Sequence, residues 1–270
     1  MASTQDETTI NFCNLQHKKN DMKDKFTAFL THLALSAAVA ALSIVVVFFI
    51  WYPAPLYTAV GVTKIFLILL AVDITIGPLI TFIVYKKGKK SLKFDLVVIA
   101  LLQLTALAYG MNTVFVGRPA FVVYNVDRFT VSRAHEIDPK SAEKAEKNGN
   151  QSAKASWLAP KWVGAVSSKD NKRRNEITLS SAMGGADWPE LPELFVPLAE
   201  VKKQIHERAK PLAELRKLHD KDAGALEELA KWKDTEVKWL PLRSNAKDMV
   251  VLVDANSDAV IKALDIKPWP

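Results

Sequence analysis

The sequence FTAFLTHLALSAAVAALSIVVVFFIWY at residues 26–52 decides the fold class. It opens a run of 38 consecutive positions, 26–63, that contains no Asp, Glu, Lys or Arg. A membrane-spanning helix needs about 20 mainly apolar residues, so this stretch is long enough to cross a bilayer. Pro53 and Pro55 follow it and are expected to end the helix. Its length favours an uncleaved anchor over a signal peptide.

Two further apolar stretches predict a second and a third membrane span. The second covers about residues 65–85 and the third about residues 94–116, where positions 96–117 again lack charged side chains. This pattern is not that of an ordinary soluble enzyme or a disordered chain. The single cysteine, Cys13, also excludes an internal disulfide framework.

The lysines predict how the chain is oriented in the membrane. The loop between the second and third spans carries five lysines at residues 86–93, whereas the loop at 53–62 carries no charge. Lysines concentrate in cytoplasmic loops, so the N-terminal segment 1–25 and the lysine loop are predicted to be cytoplasmic. Three spans within a transmembrane domain at 26–117 then leave residues 118–270 on the extracytoplasmic, periplasmic side.

The basic charge of the chain also follows from this topology. Residues before 118 carry ten Lys and Arg against six acids, and the remainder carries 26 against 23. The surplus therefore lies mainly beside the membrane, where it suits a lipid bilayer as partner, and a nucleic-acid partner is not predicted.

The segment after residue 118 is predicted to fold as a mixed α/β (α+β) domain. Residues 121–126 have the composition of a strand, and Asp138-Pro139 begins a short helix as N-cap and first-turn proline. Leu198, Val201 and Ile205 recur at helical spacing, and residues 249–266 resemble a terminal hairpin. Residues 1–21 are polar without a consistent period and are expected to be disordered, which makes Met22 an alternative start.

No catalytic chemistry is evident in the sequence. None of the five histidines stands in a zinc-ligand spacing, and nucleophile-elbow, phosphate-loop and dinucleotide motifs are absent. We therefore predict that the protein is not an enzyme and that it uses no cofactor and no metal.

The informative polar residues lie within the predicted spans. Asp73 stands near the middle of the second span, and a central aspartate costs about 2.5–3.5 kcal/mol on insertion scales. Gln103 lies at a similar depth in the third span, so the two can hydrogen-bond if their faces match. Gly77 and Pro78 follow one turn after Asp73, and the proline frees a backbone carbonyl. These four residues either hold the helices together or form an intramembrane site for a partner. His32 is interpreted as interfacial.

Several segments together resemble a known family. MKDKFTAFLTHL, FFIWYPAPLY, IFLILLAVDITIGPLITFIVY, KKSLKFDLVVIALLQLTALAYG and GRPAFVVYNVDRF occur in this order and are similar to the type IV pilin accessory proteins of the TfpX/TfpZ type. The resemblance is strong over residues 22–129 and weaker beyond, at WLPLRS and VVLVDANSDAVIKALDIKPW.

The resemblance implies a bacterial inner-membrane protein that assists a major type IV pilin in its stability or its assembly into pili, in the manner of a chaperone. The expected partner contacts are the transmembrane helix of the pilin, near Asp73, Gly77 and Gln103, and its head domain. The alternatives are a membrane-anchored extracytoplasmic sensor and a cell-envelope hydrolase. The oligomeric state is unknown from the sequence.

Overall fold

The computed structural model describes residues 3–269, with side chains from residue 19 onward. Within this part of the chain, three helices are long and apolar enough to cross a membrane: Lys19–Trp51, Val62–Val84 and Leu92–Val116. Only 22%, 22% and 11% of their most apolar windows are buried within the protein, as expected of helices that face lipid. The predicted class, three long apolar helices followed by a mixed α/β domain, is confirmed.

The first helix begins earlier than the sequence indicated. Helix α1 covers Ser3–Val45 and continues as a π-helical segment, Val46–Trp51, which ends before Pro53. The expectation of disorder up to residue 21 was therefore wrong. No glycine or proline occurs between residues 3 and 45, so nothing interrupts the helix on its N-terminal side. The other helices of this half are α2 (Leu56–Val60), α3 (Val62–Val84) and α4 (Leu92–Val116).

The chain forms two compact units. The helical unit consists of residues up to Val45 together with Lys64–Thr113, and the sheet unit consists of Val46–Thr63 together with the chain from Val114 onward. The loop that carries α2 thus belongs to the sheet unit. Leu56 and Ala59 are buried there, and the N–H groups of Ala246 and Lys247 both donate to the Ala59 carbonyl at 3.1 Å.

A mixed sheet is the centre of the sheet unit. In the described part of the chain it has eight strands, in the order β4-β3-β1-β2-β6-β7-β8, with β5 paired to β6 outside this path. β1 pairs in parallel with β3, and β2 pairs in parallel with β6, whereas the other pairs are antiparallel. The strands are β1 (Pro119–Asn125), β2 (Arg128–Arg133), β3 (Lys161–Ala165), β4 (Phe195–Pro197), β5 (Lys210–Pro211), β6 (Val237–Arg243), β7 (Met249–Asp254) and β8 (Val260–Leu264).

Short helices cover the sheet and build two apolar cores. One core joins Ile177 to β1, β3 and β4, and contains Phe121 and Phe195. The other joins Leu215 and Leu229 to β6, β7 and β8. Asp138 caps its helix as predicted, since its carboxylate accepts the N–H of Ser141. The helices are α5 (Pro139–Lys147), α6 (Asn171–Ala182), α7 (Lys202–Arg208), α8 (Leu212–Leu218) and α9 (Ala223–Ala230).

Candidate intramembrane site

A polar network lies within the helical unit and connects its three long helices. Its centre is Gln103 on α4, whose Nε2 donates to the backbone carbonyl of Asp73 at 2.8 Å and to Ser36 Oγ at 2.9 Å. The Oε1 atom of the same amide lies 2.9 Å from His32 Nε2, and His32 Nδ1 lies 2.6 Å from Thr81 Oγ1. Four side chains and one backbone carbonyl are thereby joined in a single network.

The chemistry of these groups fixes the direction of each hydrogen bond. The Asp73 carbonyl can only accept, so the Gln103 atom facing it is the NH₂ group and the opposite atom is the carbonyl oxygen. That oxygen can only accept as well, so His32 carries a proton on Nε2. In the neutral imidazole, Nδ1 then accepts the hydroxyl proton of Thr81. Because the partners match, a neutral His32 satisfies the network within an apolar layer.

Gly77 provides the space that Gln103 occupies. A Cβ atom built at Gly77 would lie 1.9 Å from Gln103 Oε1 and 2.6 Å from its Cδ. The amide therefore crosses α3 at the one side chain small enough to let it pass. Pro78 follows inside α3, which continues to Val84.

The predicted residues meet, but not in the form that was expected. Asp73 and Gln103 are in contact, and the printed hydrogen-bond acceptor is the backbone carbonyl of Asp73. The Asp73 carboxyl group lies beside the Gln103 amide and near His32. Whether these residues bind a partner stays a prediction.

Sequence reasoning missed His32, Ser36 and Thr81. His32 was interpreted as interfacial, yet it contacts both other helices, and Ser36 and Thr81 are only 4% and 2% exposed. The available signal was the spacing of His32 and Ser36, which puts both on one face of α1. Their partners lie 49 to 71 residues away, so local patterns could not identify them.

Asp73 and Gln103 also line two depressions on the helical unit. One is a groove of about 550 Å³ between α3 and α4, whose walls are mostly apolar. Its lining includes Val72, Ile76, Ile80, Val98 and Leu102, and the ion pair of Lys89 with Asp95, at 2.6 Å, borders it. The other is a smaller cavity of about 230 Å³ that His32 and Ser36 also line. A half-buried carboxyl group thus lies in an apolar groove that is long enough to take side chains of another helix.

The sheet unit has a groove of its own beside the loop at residues 53–56. It measures about 640 Å³, and one wall is the edge strand β8. Residues that line it include Pro53, Pro55, Trp162, Leu198, Val260 and Ile261.

An aromatic cluster lies where the chain passes from long helices into the sheet unit. The ring of Phe115 lies 4.9 Å from that of Trp51 and 5.2 Å from that of Trp157. The guanidinium of Arg118 lies 3.8 Å from the centre of the Phe115 ring. Tyr52, which the sequence placed at an interface, is instead buried and donates its hydroxyl to the Val114 carbonyl at 2.7 Å.

Comparison with known proteins gives a consistent class. A family model described as "Fimbrial assembly protein FimB" matches residues 20–61. Over 108 residues, 39% of this chain, the sequence is 38% identical to "Fimbrial assembly protein, serogroup I" of Dichelobacter nodosus and covers 42% of that protein. It is 37% identical to "Fimbrial assembly protein, serogroups C1 and C2" of the same organism and covers 82% of it. No solved structure matches the chain.

Proposed function

Because the chain belongs to the fimbrial assembly protein family, we propose that it is an accessory protein for a type IV pilin, of the TfpX/TfpZ type. In this role it binds the major pilin in the bacterial inner membrane and supports the stability of the pilin or its assembly into pili. It acts as a chaperone and not as an enzyme. The match to fimbrial assembly proteins supports a role in pilus assembly, and the chain spans less than half of one of the relatives it matches.

The proposed topology places the N-terminus and residues 86–93 in the cytoplasm and the sheet unit in the periplasm. The five lysines of that loop support it, as does the uncharged loop between the first two helices. A pilin subunit that has its head in the periplasm then meets the same side of the membrane as the sheet unit.

The observation that carries the proposal is the half-buried Asp73 in the groove between α3 and α4. The groove is apolar enough for a transmembrane helix, and Leu102 and Ile76 on its walls are 67% and 49% exposed. A carboxyl group in hydrocarbon is costly, so a polar group of a bound helix would be a favourable partner for Asp73. We place the pilin helix in this groove.

The head of the pilin is proposed to contact the sheet unit. The groove beside residues 53–56 supports this, because it combines apolar side chains with the open edge of β8. An edge strand carries backbone donors and acceptors that can pair with a partner.

Site-specific photo-crosslinking in living bacteria tests the binding site. A benzoylphenylalanine at Leu102, which lines the groove, is expected to form an adduct with the major pilin of the same bacterium. The matched control is Leu101, which is similarly exposed at 59% but does not line the groove. Equal adducts from both positions, or an absence of pilin from the Leu102 adducts, would remove the site.

Substitution of Asp73 tests what the carboxyl group contributes. Asp73→Leu is expected to reduce co-purification of the pilin several-fold while the protein stays at its normal level in the membrane. Thr75→Leu is the control, because its hydroxyl bonds to the Ala71 carbonyl of its own helix at 2.6 Å and lies outside the groove. Retention of pilin by Asp73→Leu at the level of this control would refute a role for the carboxyl group.

A further inference from the structure

A loop of the sheet unit exposes two large apolar side chains. Trp157 is 73% exposed and Leu158 is 68% exposed, and neither belongs to the two apolar cores of the unit. Single exposed apolar residues are common, but an adjacent Trp and Leu present a continuous apolar tip.

The position of this tip is fixed by its aromatic neighbours. The Trp157 ring packs on Phe115, the penultimate residue of α4, and Phe115 packs on Trp51, the last residue of the first apolar helix. Both helices end on the same side of the membrane, since two further crossings separate them. Trp157 therefore lies at the depth where two spans leave the hydrocarbon.

Hydrogen bonds hold the loop against the end of α4. Arg118 Nη1 donates to the Phe115 carbonyl at 2.9 Å, and Nη2 donates to the Ser156 carbonyl at 3.4 Å. The hydroxyl of Ser156 accepts the N–H of Leu158 at 3.1 Å. The side chains of Trp157 and Leu158 are thus presented by an ordered segment at this level.

We propose that Trp157 and Leu158 insert into the interfacial layer of the bilayer, so that the sheet unit carries a lipid contact in addition to the three spans. The occupant of this surface is lipid, because the surface is continuous with side chains that end the spans. Tryptophan suits this layer, since its ring is apolar and its indole N–H can bond to headgroups or water. The inference does not depend on binding to a pilin.

Depth measurement with spin labels tests the proposal on the full chain. Leu158→Cys is introduced with Cys13→Ser, which removes the single native cysteine. The labelled protein is reconstituted at one copy per nanodisc of phosphatidylethanolamine and phosphatidylglycerol. Because this sample has no partner protein and no second copy, protection of the label must come from lipid.

The control position is Val126, an apolar residue that is 55% exposed at the turn between β1 and β2. The seven residues of β1 separate it from the end of α4, a path of about 20 Å at the usual strand rise. The ratio of oxygen to nickel-complex accessibility is expected to be several-fold higher at position 158 than at 126. Equal ratios would overturn the proposal, as would protection at 158 that requires two copies per disc.

Discussion

Gly77 is required by a side chain from another helix and not by its own backbone angles. The Gln103 amide occupies the position of the missing Cβ and uses it to reach Asp73, Ser36 and His32. Hydrogen bonds between membrane helices contribute about 0.6–2 kcal/mol each, so the network stabilises the helical unit even without a partner. Such a dual role explains why a polar residue near mid-membrane needs a glycine opposite it.

Gly77→Ala is expected to displace Gln103 and to lower the stability of the helical unit by about 1–3 kcal/mol, because the new methyl group overlaps the amide. Unfolding by dodecyl sulfate in mixed micelles measures this loss. In the double variant Gly77→Ala/Gln103→Ala the overlap is gone, so its stability should match that of Gln103→Ala alone. Additive losses would show that Gly77 acts independently of Gln103.

Glu193 shows the same economy of partners in the sheet unit. Its side chain is 4% exposed and pairs with Lys144 and Arg173. Burial alone would raise the pKa of Glu193, but hydrogen bonds from Lys144 and Arg173 outweigh burial and hold the pKa below its ordinary value of 4.5. Because the folded-state pKa is the lower one, the ionised pair stabilises the fold above the ordinary value, and this contribution is lost as the pH falls through the folded-state pKa.

Glu193→Gln is therefore expected to lower stability at pH 7 by about 1–3 kcal/mol and to weaken the loss of stability on acidification below about pH 4.5. Thermal unfolding in detergent, followed by near-UV circular dichroism at several pH values, measures both effects. Glu143→Gln serves as the reference, since Glu143 is 64% exposed in its pair with Lys147 and should change little. An unchanged pH profile in Glu193→Gln would contradict the assigned pairing.

At the scale of elements, α2 joins the loop between two long helices to the sheet unit. Gly61 ends α2 with φ +77°, and its amide bonds to the carbonyls of Tyr57 and Thr58. A Cβ atom at this glycine would lie 2.9 Å from the Ala246 Cβ. The position thus combines a left-handed backbone with a close approach to the turn between β6 and β7.

Gly61→Ala is expected to destabilise the sheet unit by about 1–2 kcal/mol more than Gly184→Ala does. Gly184 has a similar φ of +80°, but nothing lies within 4 Å of its Cβ direction. The difference between the two variants isolates the contact with Ala246, and thermal unfolding measures it. Similar losses in both variants would mean that α2 packs less tightly on the sheet unit than described.

At the scale of the whole molecule, lysine placement governs orientation. In the lysine loop, Lys87 pairs with Asp24 at 2.7 Å and Lys89 pairs with Asp95 at 2.6 Å, while Lys86, Lys90 and Lys93 add further positive charge. The loop at residues 53–62 offers no charge to compete with them.

Reporter fusions check the orientation. Alkaline phosphatase joined after residue 270 is expected to be active and green fluorescent protein at the same point to be dark, since the C-terminus is proposed to be periplasmic. Fusions after residue 90 should give the opposite pair of results. A fluorescent and phosphatase-inactive C-terminus would reverse the proposed topology.

The sequence was informative where length or local spacing decides the structure. The long uncharged stretches predicted the three apolar helices, and Asp138 predicted its own cap. It was uninformative where distant segments meet. The parallel pairing of β2 with β6 and the contacts of His32 with Thr81 and Gln103 join residues too far apart for any local pattern. The helix before residue 21 was missed because polar composition was taken as disorder.

The Ala59 carbonyl accepts hydrogen bonds from the amides of Ala246 and Lys247, near the other end of the chain. A ribosome must therefore translate most of the message before α2 acquires these donors. Until then the nascent polypeptide carries an unfinished surface on a segment that was among the first to be inserted. A premature stop before codon 246 leaves that surface permanently unfinished, which gives membrane proteases a means to distinguish truncated products from complete ones.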